Sequence, residues 1–241
     1  MRQSATAFSE RASTMENPNT AKNIQITTHS VHDLTEDRIS QILALFDATY
    51  ADANHSYLFS SFEVMGWIAL AVHDSSLAGF AIADVKFVDL PRMHGLHPVA
   101  ASGIGCIDES FRRMGLFSRL AKAAVLASGK LPVNSRYLNC GRTAHPVSYK
   151  FLSSIGAGGI PELDRPLSPW HLEMVERIAA LYGVEVYPGT CVVIGKGVPI
   201  GYPRIDVVVT DIERKMFENV DRDKGEALMA MSWIPDAPSG W

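Results

Sequence analysis

Gly105-Cys-Ile-Asp-Glu-Ser-Phe-Arg-Arg-Met-Gly-Leu-Phe-Ser-Arg-Leu120 is the stretch on which the reading of this chain turns. Just ahead of and into it, Ser102 to Ile107 is small and apolar with no helical period, which suits a buried strand. Downstream, Leu116, Leu120, Ala123, Ala124 and Ala127 recur at three- and four-residue steps, the pattern of an amphipathic helix, closed by Gly129. Between the two lies a short turn carrying two arginines and one glycine. Such a turn aims unpaired backbone N–H groups, at the positive end of a helix dipole, out of the sheet edge. Arg112 and Arg113 placed there are unfavourable by roughly 0.3–1 kcal/mol each, and Asp108 with Glu109 offsets them only in part. A bound anion would offset the rest, and pyrophosphate is the obvious kind. The competing reading is a solvated, charged turn that precedes a helix. Rossmann and P-loop patterns fit less well, because neither their glycine spacing nor the P-loop lysine is present.

The 241 residues fit one domain with extensions better than two. A formal charge of −4 argues against a nucleic-acid or anionic-membrane surface. The three cysteines, Cys106, Cys140 and Cys191, cannot complete a disulfide set, and no Cys/His spacing points to zinc or another metal. A reducing, cytoplasmic setting is the expectation. The N-terminus has no apolar run that could serve as a secretory signal. The most apolar region, Trp67 to Val85, is interrupted by His73, Asp74, Ser75 and Ser76, so it reads as two strands of a soluble protein and not as a membrane span.

In chain order, residues 1–23 are polar and without period, and are expected to be a disordered tail. A single domain is expected over 24–241. Ile24-Gln-Ile-Thr-Thr alternates like a strand. Asp33-Leu-Thr-Glu36 resembles a capping box, and Ile39, Ile42, Leu43 and Phe46 share a helical face to about Tyr50. Tyr57 to Met65 predicts a short second helix. Two strands over Trp67–Val72 and Leu77–Val85 are joined by a hairpin at Asp74-Ser-Ser, and a polar loop through Pro91, His94, Gly95, His97 and Pro98 leads to the central strand. Arg136 to Gly141 reads as the next strand, and Pro146 to Ile155 as a helix ended by Gly156. About 158–241 forms a C-terminal extension. In it Ser168 and Pro169 start a helix that Gly183 ends. Strands are expected at Val184–Tyr187, Thr190–Ile194, Ile205–Val209 and Ala227–Ile234, with a short helix over Asp211–Val220.

Ile107-Asp-Glu-Ser-Phe-Arg-Arg-Met-Gly-Leu-Phe resembles the acyl-CoA signature of the GNAT superfamily of N-acyltransferases, Val-x-Pro-x-x-Arg-x-x-Gly-x-Gly/Ala. Arg112 and Gly115 fall on its two defining positions and Ile107 on the valine. Glu109 replaces the proline, and Phe117 replaces the last small residue, narrowing the space over the phosphates. A second run, His145-Pro-Val-Ser-Tyr-Lys-Phe-Leu-Ser-Ser-Ile-Gly-Ala, is similar to the family's Asn-x-x-Ala/Ser-x-x-x-Tyr/Leu-x-x-x-Gly-Phe. There His145 falls on the asparagine, Ser148 on the small residue and Leu152 on the tyrosine. The resemblance covers roughly Ile24 to Ala157. It implies an α/β (α+β) fold with a mixed, mostly antiparallel central sheet, splayed parallel strands 4 and 5, and flanking helices.

The resemblance also implies chemistry: acyl transfer from acetyl-CoA or another acyl-CoA to a primary amine of a small molecule, by direct attack in a ternary complex. Pantetheine would lie between the splayed strands, where Gly103 and Gly105 suit a distorted strand. The CoA-binding set is then Cys106, Ile107, Arg112, Arg113, Met114, Gly115, Leu116, Phe117 and Ser118, with the Ile107 amide facing the thioester oxygen. Leu152 cannot protonate the leaving thiolate. Ser148, one turn earlier, is a candidate donor and Tyr149 the other; against both stands the reading of Ser148 as a packing residue and Tyr149 as a surface aromatic. Asp108, Glu109, His94, His97 and Cys140 lie near the expected cleft, but no base is singled out, since a water chain can carry the amine's proton. Cys106 and Cys140 are expected to face each other across the splay as inert buried thiols. A homodimer is left open, and the alternative function is a non-catalytic acyl-CoA-binding protein on the same fold.

Overall fold

A computed structural model describes residues 23–205 and 208–241. Residues 1–22, which carry the expected tail, and residues 206–207, within the strand expected at Ile205–Val209, lie outside the described residues. The elements in chain order are β1 (Gln25–Ser30), α1 (Glu36–Thr49), β2 (Tyr50–Ala51), α2 (His55–Val64), β3 (Trp67–His73), β4 (Ser76–Asp89), β5 (Leu96–Ile107) and α3 (Leu116–Ala127). They continue with β6 (Tyr137–Thr143), α4 (Pro146–Ser154), β7 (Ala157–Ile160), α5 (Pro169–Leu181), β8 (Val192–Val193), β9 (Tyr202–Pro203), α6 (Asp211–Met216) and β10 (Ala227–Ile234).

The main sheet has eight strands in the order β1-β3-β4-β5-β6-β10-β7, with β8 also paired to β10. Every pairing in it is antiparallel except β5 with β6. Because β2 lies outside this sheet, β5 and β6 are its fourth and fifth strands in chain order. The two sheet faces are covered differently. On one face Leu116, Leu120 and Ala124 of α3 pack on Ala69, Ala81 and Ala100, while Leu152 of α4 packs on Ala230. On the other, α1, α2 and α5 bury Phe46, Leu58 and Met174 against Phe80, Leu138 and Trp233. At about 25 cal/mol per Å² of apolar surface, these two layers supply the main driving force for folding.

The β3–β4 hairpin turns on Asp74 and Ser75, both at positive φ (46° and 67°), the two-residue turn whose twist matches the strands. The polar segment after β4 is not the loop expected through Pro98. His97 and Pro98 are strand residues paired with Val88 and Phe87, because a long β4–β5 hairpin continues the ladder well beyond the apolar run. Thr35, not Asp33, caps α1, its side chain accepting from the Arg38 N–H. Val184–Tyr187 makes only an isolated bridge through Val186 to Val193, and Thr190–Ile194 contracts to β8. Three short strands went unread in the sequence: β7, whose Ala-Gly-Gly-Ile lacks a period, and β2 and β9, which pair with each other and tie the extension to the end of α1.

The extension is anchored by aromatic packing. Trp241 stands edge-on to Trp170 and Trp233, with centroids 5.4 and 5.6 Å away, and donates its indole N–H to the Gly158 carbonyl at 2.6 Å. Gly156, past α4, is held against β10 so closely that a Cβ there would lie 2.4 Å from the Trp233 carbonyl oxygen. Gly156→Ala is therefore expected to destabilise the fold by about 1–3 kcal/mol, since backbone must move to admit one methyl; a denaturant midpoint equal to that of the parent would contradict this. Among the described residues no helix is long and apolar enough to cross a membrane.

Helix α5 starts with a capping box: the Ser168 hydroxyl accepts from the His171 N–H and His171 Nδ1 from the Ser168 N–H at 3.2 Å. The buried His171 Nε2 has no hydrogen-bond partner among the described residues. Burial, then Arg165, hold the His171 pKa below its usual 6.5, and burial, then Arg222, do the same for His145. The unfolded chain therefore binds more protons than the folded one just below pH 6.5, so this stability is complete above that pH and drains as the pH falls through the folded-state values. The melting temperature should drop between about pH 7 and 5. His171→Gln, which preserves the capping box, should flatten that drop, and an unchanged slope would contradict the assignment.

Candidate active site

Strands β5 and β6 pair over four residues only, from Val99↔Leu138 to Ser102↔Gly141, although both continue. The cause lies on β5. Its register with β4 passes from Ser102↔Ala83 to Gly105↔Ala81, so Gly103 and Ile104 together oppose the single residue Ile82. This bulge bends β5 away from β6. A Cβ on Gly103 would stand 3.3 Å from the Ile82 Cβ, which is why glycine suits the inner side of the bend. Beyond it the Asp108 N–H returns to β4, donating to the Ala78 carbonyl at 2.9 Å. Strand alternation then turns the Ile107 N–H away from β4, toward the gap.

The gap opens into a cleft of about 650 Å³ that passes between the two sheet faces. At one end it meets the turn before α3. Gly115 is the N-cap of α3, in the left-handed region (φ 67°, ψ 12°), and supplies no side-chain cap. The amides of the first turn are left for solvent or an anion. Open space surrounds the position a Gly115 Cβ would take, with nothing within 4 Å. The arginines lie in the turn ahead of the helix, where the sequence puts them. Both precede the cap; Arg113 is itself left-handed (φ 65°), and Arg112 donates from Nε to the Ile107 carbonyl at 3.3 Å and from Nη1 to the Arg204 carbonyl at 2.6 Å. Arg112 thereby clasps the tip of β5 to the extension.

Of the residues expected to hold CoA, Cys106, Ile107, Arg112, Arg113, Leu116 and Phe117 line the cleft, while Met114, Gly115 and Ser118 do not. Phe117 lies across the gap: its ring fills the space a Gly105 side chain would take, with Cε2 2.3 Å from the Cβ position, and it stands edge-on to Phe151 of α4 at 4.6 Å.

No protein-family model matches the sequence, and no curated protein does. Among solved structures, the ribosomal-protein-S18-alanine N-acetyltransferase from Escherichia coli is 12% identical, over 90% of this chain and 99% of its own, with a TM-score of 0.42. An acyl-CoA N-acyltransferase from Pseudomonas aeruginosa is 17% identical over 48% of this chain and 78% of its own, with a TM-score of 0.36. A GNAT family N-acetyltransferase from Escherichia coli, solved with CoA, is 16% identical over 54% and 67%, with a TM-score of 0.38. What decides the fold is the sheet itself, mostly antiparallel, with one parallel pair splayed at a bulge. This is the sheet that the resemblance to the GNAT superfamily implies.

Ser148 of α4 lines the cleft and its hydroxyl has no partner among the described residues. Tyr149 is turned away. It is buried beside Ala230 and Phe217, and its hydroxyl donates to the Pro161 carbonyl. It is thus neither the surface aromatic of one reading nor within reach of the cleft as the other required. Leu152 rests on Gly141 of β6.

Cys106 and Cys140 do not face each other. Cys140 stands opposite Ala101 in the paired part of β5 and β6, with the Tyr182 hydroxyl 3.8 Å from its sulfur. Burial pushes both thiols up to about 12, so neither is a thiolate at neutral pH. The far half of the cleft holds residues that sequence reasoning missed: Tyr50, Tyr57, Arg142 and Tyr182. Burial raises the pKa of all three tyrosines, which remain protonated hydrogen-bond donors. His145, the N-cap of α4, takes the Val147 N–H on Nδ1 at 3.2 Å, so in its neutral form Nε2 carries the proton. The signal that could have found Arg142 is a charge inside a strand whose other residues, Tyr-Leu-Asn-Cys-Gly and Thr, are uncharged; the tyrosines give none, being ordinary at helix ends.

Proposed function

We propose that this protein is an acyl-CoA-dependent N-acyltransferase that passes an acetyl or other acyl group from the CoA thioester to a primary amine of a small molecule, by direct attack in a ternary complex. The observation that carries this is the bulge-driven splay of β5 from β6, opening into a cleft that reaches the uncapped start of α3. The first-turn amides of α3, with Arg113 beside them, would hold the pyrophosphate, and the Ile107 amide would polarise the thioester carbonyl. The amine nitrogen forms a bond to the carbonyl carbon and gives up one proton to water in the cleft, the carbon–sulfur bond breaks, and the thiolate takes a proton relayed through the Ser148 hydroxyl. No protein nucleophile is used, in keeping with thiols held near 12. The β2–β9 pairing lays the segment Ile200–Ile205 along the cleft, an enclosure that favours a small molecule over a folded protein. Three buried free cysteines fit a reducing, cytoplasmic setting.

Phe117 over Gly105 and Leu152 at the family's tyrosine position support a second reading, a non-catalytic acyl-CoA-binding protein. Titration with CoA and acetyl-CoA, followed by free-thiol release with acetyl-CoA and longer acyl-CoAs against a panel of primary amines, tests both. Thiol release with any amine supports the enzyme. CoA binding without release from any pair selects the second reading, and failure to bind CoA removes both.

A further inference from the structure

The cleft holds a cation that the CoA reading does not use. Leu138 and Cys140 are buried in the core of the face covered by α1, α2 and α5, and the two-residue alternation of β6 puts Arg142 on that same face. The start of α3, where CoA phosphates would end, is on the other. The Arg142 guanidinium lies between two rings, 5.1 Å from the centroid of Tyr57 and 5.3 Å from that of Tyr182. It is partly buried, and no carboxylate among the described residues pairs with it. Glu109, at the phosphate turn, is the only carboxylate among the described residues that line the cleft. A second arginine deepens the positive field. Arg222 lies over the Tyr202 ring at 4.6 Å with its Nε buried and without a partner among the described residues, and its charge acts on both Tyr50 and His145 in the cleft wall.

A partly buried cation without a counter-ion is costly, and aromatic faces compensate it only in part. The sandwich holds the planar guanidinium in one orientation, which suits the two parallel hydrogen bonds a carboxylate accepts. We infer that Arg142 binds a carboxylate of the acceptor, and that the acceptor is an amine bearing that carboxylate, of the amino-acid class. The inference rests on the acyltransferase reading above for the word acceptor, but the anion site itself can be measured without turnover. A phosphate is the less fitting anion, since the described wall offers it one guanidinium and no uncapped helix start on this face.

The probes are the twenty common L-amino acids and their α-amides, tested on CoA-saturated full-length protein by equilibrium titration and, with acetyl-CoA, by thiol release. At least one amino acid is expected to bind, and to react, tenfold or more better than its amide. Arg142→Gln should reduce that ratio to within about threefold, and Arg142→Lys, which keeps the charge but loses the fork, should leave an intermediate ratio. CoA affinity should be unaffected by either variant. The melting temperature of Arg142→Gln should be equal to or above that of the parent, because an unpaired cation has been removed; a purely structural arginine would lower it. Absence of any acid-over-amide preference across the panel overturns the inference, as does a tenfold loss of CoA affinity in Arg142→Gln, which would assign the guanidinium to the CoA phosphates. An amino acid that binds in an Arg142-dependent way without thiol release would uphold the anion site while removing the acyltransferase reading.

Discussion

Ser148→Ala is expected to lower turnover by roughly tenfold or more, with CoA affinity nearly unchanged. The expectation follows from helix phase. Ser148 and Leu152 are four residues apart on one face of α4, while Tyr149 is rotated about 100° from Ser148. Ser148 and Leu152 line the cleft, and the Tyr149 hydroxyl is committed to the Pro161 carbonyl on the far side of the helix. A positioned donor that protonates a leaving group is typically worth a factor of about 10² to 10⁴, of which water in its place recovers a part. Tyr149→Phe should change turnover less than about threefold and act instead on stability, by about 1 kcal/mol for the lost hydrogen bond. Steady-state rates with a competent amine, read beside melting temperatures, separate the two effects. The reverse order of rates would assign the donor role to Tyr149, and no effect from either would mean that the thiolate leaves unassisted.

Gly115→Asp should weaken CoA binding by roughly tenfold or more without loss of secondary structure. The left-handed conformation of Gly115 lets the chain enter α3 with its first amides bare, and the open space above it is where phosphate oxygens would approach. Aspartate adds both a Cβ in a strained conformation and a negative charge facing the anion. Asparagine has nearly the same shape and tolerates the left-handed region comparably, but is neutral. Gly115→Asn should therefore lose much less affinity, and the difference between the two isolates the electrostatic part. Calorimetric titration of Gly115→Asp with undiminished CoA affinity would remove the phosphate site from this turn.

The strand, turn and helix around Gly105–Leu120 were legible in the sequence because each rests on local chemistry: an apolar run, a glycine where the chain must turn left-handed, and a three-to-four residue period. The same holds for the Asp74-Ser75 turn, the Ser168-Pro169 start of α5 and the closing strand Ala227–Ile234. The two arginines before Gly115 were legible as residues but not as geometry. Which amides or carbonyls they meet depends on Arg204, ninety-two positions later, brought alongside by the fold.

What only the tertiary structure decided is whatever depends on register. The bulge at Gly103–Ile104 exists because β4 holds one residue against two, so the splay is a property of the pair and not of either strand. Cys140 was expected opposite Cys106; pairing places it opposite Ala101, since β6 runs beside the early part of β5. Strands β7 and β9 carry no pattern of their own and are strands only because β10 and β2 offer them partners. The Arg142 pocket is the extreme case: its walls come from α2, β6 and the end of α5, segments whose separate sequences record only an arginine and two tyrosines. Local periods survive in a sequence because they act over one turn or one pleat. A cation left without a counter-ion between two rings is visible only once all three elements have packed.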